Sequence, residues 1–426
     1  MRIAIIGGGR VGTTLGSSWT TAGHDITYGV RNPAAHAGKA ASVRDAVEGA
    51  SVVVLATPWA AVGDALSAAG DLAGRVLIDV TNPIGPGFTL AVGHTTSGAE
   101  QIAALATGAR VVKAFNTTGI ENMANPRYGE RRLVMPVAGD DVEAVAMTAQ
   151  LATALGFEAV TLPALARARE LEPLALLWIK LALQYGHGRQ FGFALSRRTD
   201  ADRVRRETSN HPRSIAIVGS GNIGGALARG WLTAGHRVSL AVRDPETADV
   251  QELVGLGARA VPVAGAAASA EIVVLAVPAG AVPSIAATLG ALDQKIVIDC
   301  TNAIGKGFTL QYGHTTSSSE ELAKALPGAR VVRSFNQQGA ETLDNAIFDG
   351  QPATNFVAGD DADARAIVVE LARDVGLDAI EVGGLASSRL LEPITLLWVS
   401  MAKAIGTRQF GLSVLRRQGA GVPSPV

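Results

Sequence analysis

The sequence holds a single cysteine, Cys300, among 426 residues. A disulfide framework within the chain and a cysteine-rich metal site are therefore excluded. Aromatic residues make up only 4% against 48% apolar overall, so the cores must rest on Ala, Val, Leu and Ile. Neither sign of charge dominates: 37 Lys and Arg stand against 38 Asp and Glu. A nucleic-acid face, usually strongly basic, is not expected. No His/Glu cluster has metal spacing, and no Ser/His/Asp order marks a nucleophilic triad. The longest uncharged stretch, 272–292, contains Pro278 and Pro283 and begins as a β-branched run. It reads as strand, turn and helix rather than a membrane span. No leader is read at the start, where Met1-Arg2 runs into a strand and a glycine loop. A cytoplasmic protein without membrane partner is expected.

What is present is written twice. Gly7-Gly8-Gly9-Arg10-Val11-Gly12 returns as Gly219-Ser220-Gly221-Asn222-Ile223-Gly224, and Val30-Arg31-Asn32-Pro33 as Val242-Arg243-Asp244-Pro245. Asp79-Val80-Thr81-Asn82 returns as Asp299-Cys300-Thr301-Asn302. Gly93-His94-Thr95-Thr96-Ser97 returns as Gly313-His314-Thr315-Thr316-Ser317, and Leu171-Glu172-Pro173 also recurs. The expected organisation is a first unit over 1–196, a charged linker over 197–212, a second unit over 213–418 and a disordered tail over 419–426. The second copy has extra residues between Arg243 and Ile272, where 258–263 reads as a short strand that the first copy lacks or has shortened.

Each unit alternates charge-free β-branched runs with Ala-rich segments at helical spacing. In the first copy the strands are expected near 2–7, 25–30, 51–56, 75–80, 110–115, 133–138 and 158–162. This pattern predicts an α/β fold: two tandem Rossmann-like units, each a doubly wound parallel sheet with a small C-terminal helical part. The last helix, from about Arg167 to Tyr185, carries a stripe of Leu174, Leu177, Trp178 and Leu181, repeated as Ile394, Leu397, Trp398 and Met401. Both tryptophans read as packing residues. Matching stripes suggest an internal pseudo-dimer, with a further homo-oligomer left open.

Gly-x-Gly-x-x-Gly directly after a strand and before a helix is the arrangement that holds a dinucleotide pyrophosphate at a helix N-terminus. Gly7, Gly9, Arg10, Val11 and Gly12 are the candidates in one copy, and Gly219, Gly221, Asn222, Ile223 and Gly224 in the other. At the end of the second strand, where an NAD site places a carboxylate, stand Arg31 and Arg243. A guanidinium there suits a 2′-phosphate, so NADP(H) is favoured over NAD. Thr57 and Pro58, matched by Val277 and Pro278, are expected near the cofactor phosphates and ribose. Asn82 and Pro83, with Asn302, are expected near the nicotinamide, and Asn116 and Asn336 end another strand at the same edge.

Taken in order, the glycine loop, Arg31-Asn32-Pro33, Asp79-Val80-Thr81-Asn82-Pro83, Val112-Lys113-Ala114-Phe115-Asn116, Gly139-Asp140-Asp141 and Leu171-Glu172-Pro173-Leu174 resemble the NADPH-dependent coenzyme F-420 reductase family. The resemblance covers nearly all of each copy. It implies a Rossmann-like domain whose small C-terminal part helps form the substrate pocket. It also implies direct hydride transfer between NADP and a deazaflavin. Members are usually single units that dimerise, so the fused pair departs from the pattern. So does Gly29-Val30-Arg31, where the family often has Gly-Ser-Arg.

Hydride transfer needs positioning more than acid–base groups. Reduction of an organic C=O, C=N or C=C bond needs a proton source as well, and His94 and His314 are the candidates. Each is otherwise a loop histidine bonded to backbone. The leading expectation is an NADP-dependent oxidoreductase acting on a small-molecule, conjugated acceptor, F-420 first. The alternatives are an organic reductase using His94 or His314, and a non-catalytic protein that senses NADP(H). No metal is expected.

Overall fold

The computed structural model describes residues 1–202 and 208–417. The linker residues Arg203, Arg205, Arg206 and Glu207 and the 419–426 tail lie outside the described residues. The chain divides into two compact units, Met1–Ala194 together with the segment from Val414, and Leu195–Ser413.

In the first unit the strands are β1 (Arg2–Ile6), β2 (Asp25–Gly29), β3 (Ala40–Ala41), β4 (Val52–Leu55), β5 (Val76–Asp79), β6 (Arg110–Lys113), β7 (Val134–Gly139) and β8 (Glu158–Pro163). They form one sheet in the order 8-7-6-5-4-1-2-3. The helices that matter below are α1 (Arg10–Thr21), α2 (Gly98–Leu105), α3 (Val142–Ala154) and α4 (Ala168–Leu183). The second unit repeats the sheet with β9 (Ser214–Val218), β10 (Arg237–Ala241), β11 (Arg259–Val261), β12 (Ile272–Leu275), β13 (Ile296–Asp299), β14 (Arg330–Arg333), β15 (Thr354–Gly359) and β16 (Asp378–Glu381). Its counterpart helices are α5 (Asn222–Thr233), α6 (Ser318–Ala325), α7 (Ala362–Asp374) and α8 (Ser388–Ile405).

The central strands β1, β4 and β5 are buried along almost their whole length, as apolar runs covered by helices on both faces require, with Asp79 the buried charge at the end of β5. The expected short strand of the second copy is β11, and the first copy keeps a two-residue remnant in β3. The stretch 272–292 resolves into β12 and a helix over Val282–Leu289. Among the described residues, no helix is long and apolar enough to cross a membrane.

The sheets are not wholly parallel. β7 runs antiparallel to β6, and β15 to β14. A parallel return needs a crossover that carries the chain back along the whole strand. Between β6 and β7 there is only a five-residue helix, Ile120–Ala124, and a small hairpin. Such a helix spans about 7 Å, too little for that return.

One aromatic cluster sits where α1 meets α3. The Trp19 indole donates to the Leu151 carbonyl at 3.2 Å and meets Phe115 edge-on at 5.5 Å. Trp231 repeats both contacts with Leu371 and Phe335. The helical stripes are packing surfaces, with Trp178 stacked on Phe191 and Trp398 on Phe410.

Candidate cofactor and hydride-transfer site

β1 ends against a loop that only glycine can form. Gly7 has φ 119°, and a Cβ on it would run into the Ala56 carbonyl oxygen. A Cβ on Gly12 would strike the Gly7 carbonyl oxygen, so the helix can approach the strand end only without one. Gly9, by contrast, faces open space and stands at the N-cap of α1 with no side-chain cap. No acidic residue sits in the first turn. The free N–H groups of α1 therefore open on the cradle with no carboxylate in their own first turn, the setting that suits a phosphate. Gly219, Gly221 and Gly224 repeat this geometry at α5.

Beside the loop lies a cavity of about 680 Å³. It brings together Gly7, Gly9, Arg31, Thr57 and Pro58. Arg10, Val11 and Gly12 follow within the first turn of α1. Arg31 is exposed at the mouth, and Arg243 is exposed at the end of β10 in the second unit. The Thr57 hydroxyl oxygen is buried without a hydrogen-bond partner. The cradle, the helix terminus, the orphaned hydroxyl and the guanidinium together fit the pyrophosphate and 2′-phosphate of NADP. The cavity also includes His36, which sequence reasoning missed. Its ring lies against Gly8 and 4.6 Å from the Tyr28 ring. Its segment carries no motif and has no histidine counterpart in the second copy, so only folding places it there.

Asn82, Pro83, Asn116 and His94 lie outside that cavity lining; Asn82 and Pro83 follow the end of β5, and Asn116 follows the end of β6. Asn82 and Asn116 are joined: Asn82 Nδ2 donates to the Asn116 carbonyl at 3.1 Å, and Asn116 Nδ2 to Asn82 Oδ1 at 3.2 Å. Asn116 Nδ2 also reaches the Leu171 carbonyl of α4 at 3.2 Å. Asn302 and Asn336 repeat the pairing.

Beneath the pair lies a buried ionic cluster that was not foreseen. Lys113 Nζ stands 2.8 Å from Asp79 Oδ2 and 3.0 Å from Glu172 Oε1, and it donates to the Thr81 carbonyl at 2.7 Å. Burial alone would pull Lys113 down, but the two carboxylates outweigh it and hold its pKa above the ordinary value. Burial, reinforced by Asp79, pushes Glu172 up, against the pull of Lys113 and the Gly98 amide. Asp79 Oδ1 accepts from the Thr81 N–H, and Glu172 accepts from the N–H groups of Gly98 and Ala99 at the start of α2. The cluster thus pins the Thr81-Asn82 turn to two helices. In the second unit Arg333, Asp299 and Glu392 take these places.

After Asn82 the chain makes a hairpin, Ile84–Gly85 against Thr89–Leu90. Phe88 at its tip has φ 54° and His94 beyond it φ 65°. Phe308 and His314 share those conformations. A non-glycine residue in this region is strained by roughly 1–3 kcal/mol, and such strain collects at ligand sites. His94 is half-buried and His314 exposed. Ser97 and Ser317 cap the helices that follow, accepting from the Glu100 and Glu320 N–H groups at 3.2 Å. Among the described residues no group of three or more His, Cys, Asp or Glu is placed to hold a metal.

Two glycine cradles at strand ends, with arginines one strand away, are the hallmarks of an NADP-dependent oxidoreductase built from paired Rossmann-like units. Comparison with known proteins agrees. Residues 2–83 and 214–303 each match the family described as NADP oxidoreductase coenzyme F420-dependent, and the chain belongs to that family. The F420-dependent NADP reductase of Methanothermobacter thermautotrophicus is 33% identical over 218 residues, 47% of this chain and 94% of that protein. Metalloreductase STEAP3 of Rattus norvegicus is 33% identical over 185 residues, 41% of this chain but only 37% of that protein's length. A crystal structure from Arthrobacter sp. FB24, described as a candidate F420-dependent NADP-reductase, shares 28% identity, with TM-score 0.43 and coverage of 46% of this chain and 96% of that one.

Proposed function

We propose that the chain transfers hydride between NADPH and a flat, conjugated acceptor, with coenzyme F-420 the first candidate, and that residues 1–196 and 213–418 are its two functional units. The cleft beside the Gly7–Gly12 loop carries this reading. The F420-dependent NADP reductase that the chain covers at 94% of its length supports the choice of acceptor.

NADPH would supply the hydride, leaving the protein to bind, orient and exclude water. Gly7, Gly9, Arg10, Val11 and Gly12 would form the pyrophosphate cradle and Arg31 would read the 2′-phosphate. Thr57 and Pro58 would line the ribose, and Asn82, Pro83 and Asn116 would orient the nicotinamide. In the second unit Gly219, Gly221, Asn222, Ile223, Gly224, Arg243, Val277, Pro278, Asn302 and Asn336 take the corresponding places.

The first experiment mixes the protein with NADPH and oxidised F-420 and follows both chromophores. Coupled loss of both, proportional to enzyme, is the expected result; an unchanged F-420 spectrum with NADPH bound would remove F-420 as acceptor. Arg31→Ala is expected to weaken NADPH binding at the first unit by about 1.5–3 kcal/mol while leaving NADH binding unchanged. Equal weakening of both cofactors would show that Arg31 does not read the phosphate.

The strained backbone at His94 favours one second reading, reduction of an organic C=O, C=N or C=C bond with His94 or His314 as proton donor. Hydride transfer to F-420 should proceed at an unchanged rate in His94→Ala. Turnover of an imine or ketone should instead fall roughly 100-fold or more with NADPH affinity kept. A rate unchanged for every acceptor would end the histidine's proposed role.

A further inference from the structure

The two units differ at their asparagine pairs. In the first, Asn82 Oδ1 accepts one bond, from Asn116 Nδ2. Asn116 is 4% exposed, and its Oδ1 has no partner. In the second, Asn302 Oδ1 accepts from Asn336 Nδ2 at 3.4 Å and Arg333 Nη2 at 3.3 Å, while the Thr395 hydroxyl, 3.0 Å from it, donates to the Asn336 carbonyl at 2.7 Å. Asn336 Oδ1 accepts from Gln337 Nε2 at 2.6 Å. The added donors come from positions that the first copy fills with Lys113, Ala175 and Thr117.

Gln337 is held from both ends. Its Nε2 also donates to the Phe356 carbonyl at 3.2 Å, and its Oε1 accepts the Phe356 N–H at 3.0 Å. The side-chain amide thus pairs with β15 as another strand would. The first copy has Pro136 at that position, with no N–H to satisfy, and the shorter Thr117 facing it. Gln337 and Phe356 therefore form one coupled change, as do Thr117 and Pro136. A second difference points the same way: the orphaned Thr57 hydroxyl of the first cleft is replaced by Val277.

A buried amide oxygen left without a donor is costly unless a ligand completes it. The nicotinamide carboxamide is a primary amide, the same chemical group that Gln337 presents. On the basis of the NADP(H) reading above, we infer that hydride transfer belongs to the first unit, where Asn116 Oδ1 accepts the carboxamide N–H of the nicotinamide. The Gln337 side chain takes that position in the second unit and closes it to the nicotinamide end of the cofactor. The second unit keeps its glycine cradle and Arg243, so it still binds the adenosine half.

Calorimetry on the full chain with two probes tests this: NADPH, and 2′,5′-ADP, which lacks the nicotinamide. Wild type should hold 2′,5′-ADP at both units and bind NADPH roughly tenfold more tightly than that probe at the first unit only. Gln337→Thr alone strands the Phe356 N–H, so the decisive variant is Gln337→Thr with Phe356→Pro, which recreates the first unit's pairing. Both of its sites should prefer NADPH. Thr117→Gln should abolish the preference at the first unit. Two NADPH-preferring sites in wild type, or preferences unmoved in both variants, would overturn the inference while the chain still oxidised NADPH. A chain that bound no NADPH would overturn the parent reading along with it.

Discussion

Lys113→Met is expected to destabilise the first unit by about 3–5 kcal/mol, because it leaves two buried carboxylates without their cation. Asp79, Lys113 and Glu172 are each no more than 1% exposed, so water cannot take the place of the ammonium. One carboxyl would have to stay protonated at neutral pH, and the Thr81 carbonyl would lose its donor. Lys113→Arg should cost much less, since the second unit holds Arg333 at 2.7 Å from Asp299. That unit also adds the hydroxyls of Ser318 and Ser319, which bond Glu392 and Asp299, where the first has Gly98 and Ala99. Urea unfolding at pH 7 measures both variants. A loss below about 1 kcal/mol for Lys113→Met would show that the cluster does not depend on its charge. Because the cluster anchors the turn bearing Asn82, NADPH binding should weaken in Lys113→Met even where the unit remains folded.

The cluster also shows where a sequence stops being legible. The duplication, the glycine loops, the strand ends and Arg31 are all legible in the sequence, and within the first unit the glycine loop follows β1 and Arg31 follows β2. Asp79, Lys113 and Glu172 were visible only as members of separate motifs. Each is a charge inside or beside an apolar run, a hint of burial, but nothing local says that the three meet. His36 reaches the cleft through the path of one loop. The reversal of β7 depends on what a five-residue helix cannot span, and a strand pattern alone does not carry direction. Gln337 reads as an ordinary difference from Thr117 until Phe356 is seen across from it. In each case the missing information is a pairing between distant segments.

Glu170→Gln is expected to leave stability nearly unchanged at pH 5 and raise it at pH 9. Glu170 is 3% exposed, and burial pushes its carboxyl up to about 8 despite Arg167 and Arg169 nearby. Oε1 accepts from Arg167 Nη1 at 2.8 Å, while Oε2 has no partner. In the unfolded chain the group titrates near its ordinary value of 4.5. Below that pH it is protonated in both states and contributes no pH dependence. As the pH rises from 4.5 towards 8, the unfolded chain gives up the proton first, so the folded state loses stability across that window. At about 1.4 kcal/mol per pH unit, the loss reaches on the order of 5 kcal/mol once the folded carboxyl has ionised. Glutamine fills the same volume and never ionises, so the variant escapes this loss. The second copy has Leu390 at this position and Ser387 in place of Arg167, so the fold accommodates a neutral pair there. Urea midpoints for wild type and variant at pH 5, 7 and 9 decide the matter through their difference, which cancels every other titrating group. Parallel profiles would mean that Glu170 ionises in the folded protein as readily as in water, with Arg167 alone sufficient to hold the charge.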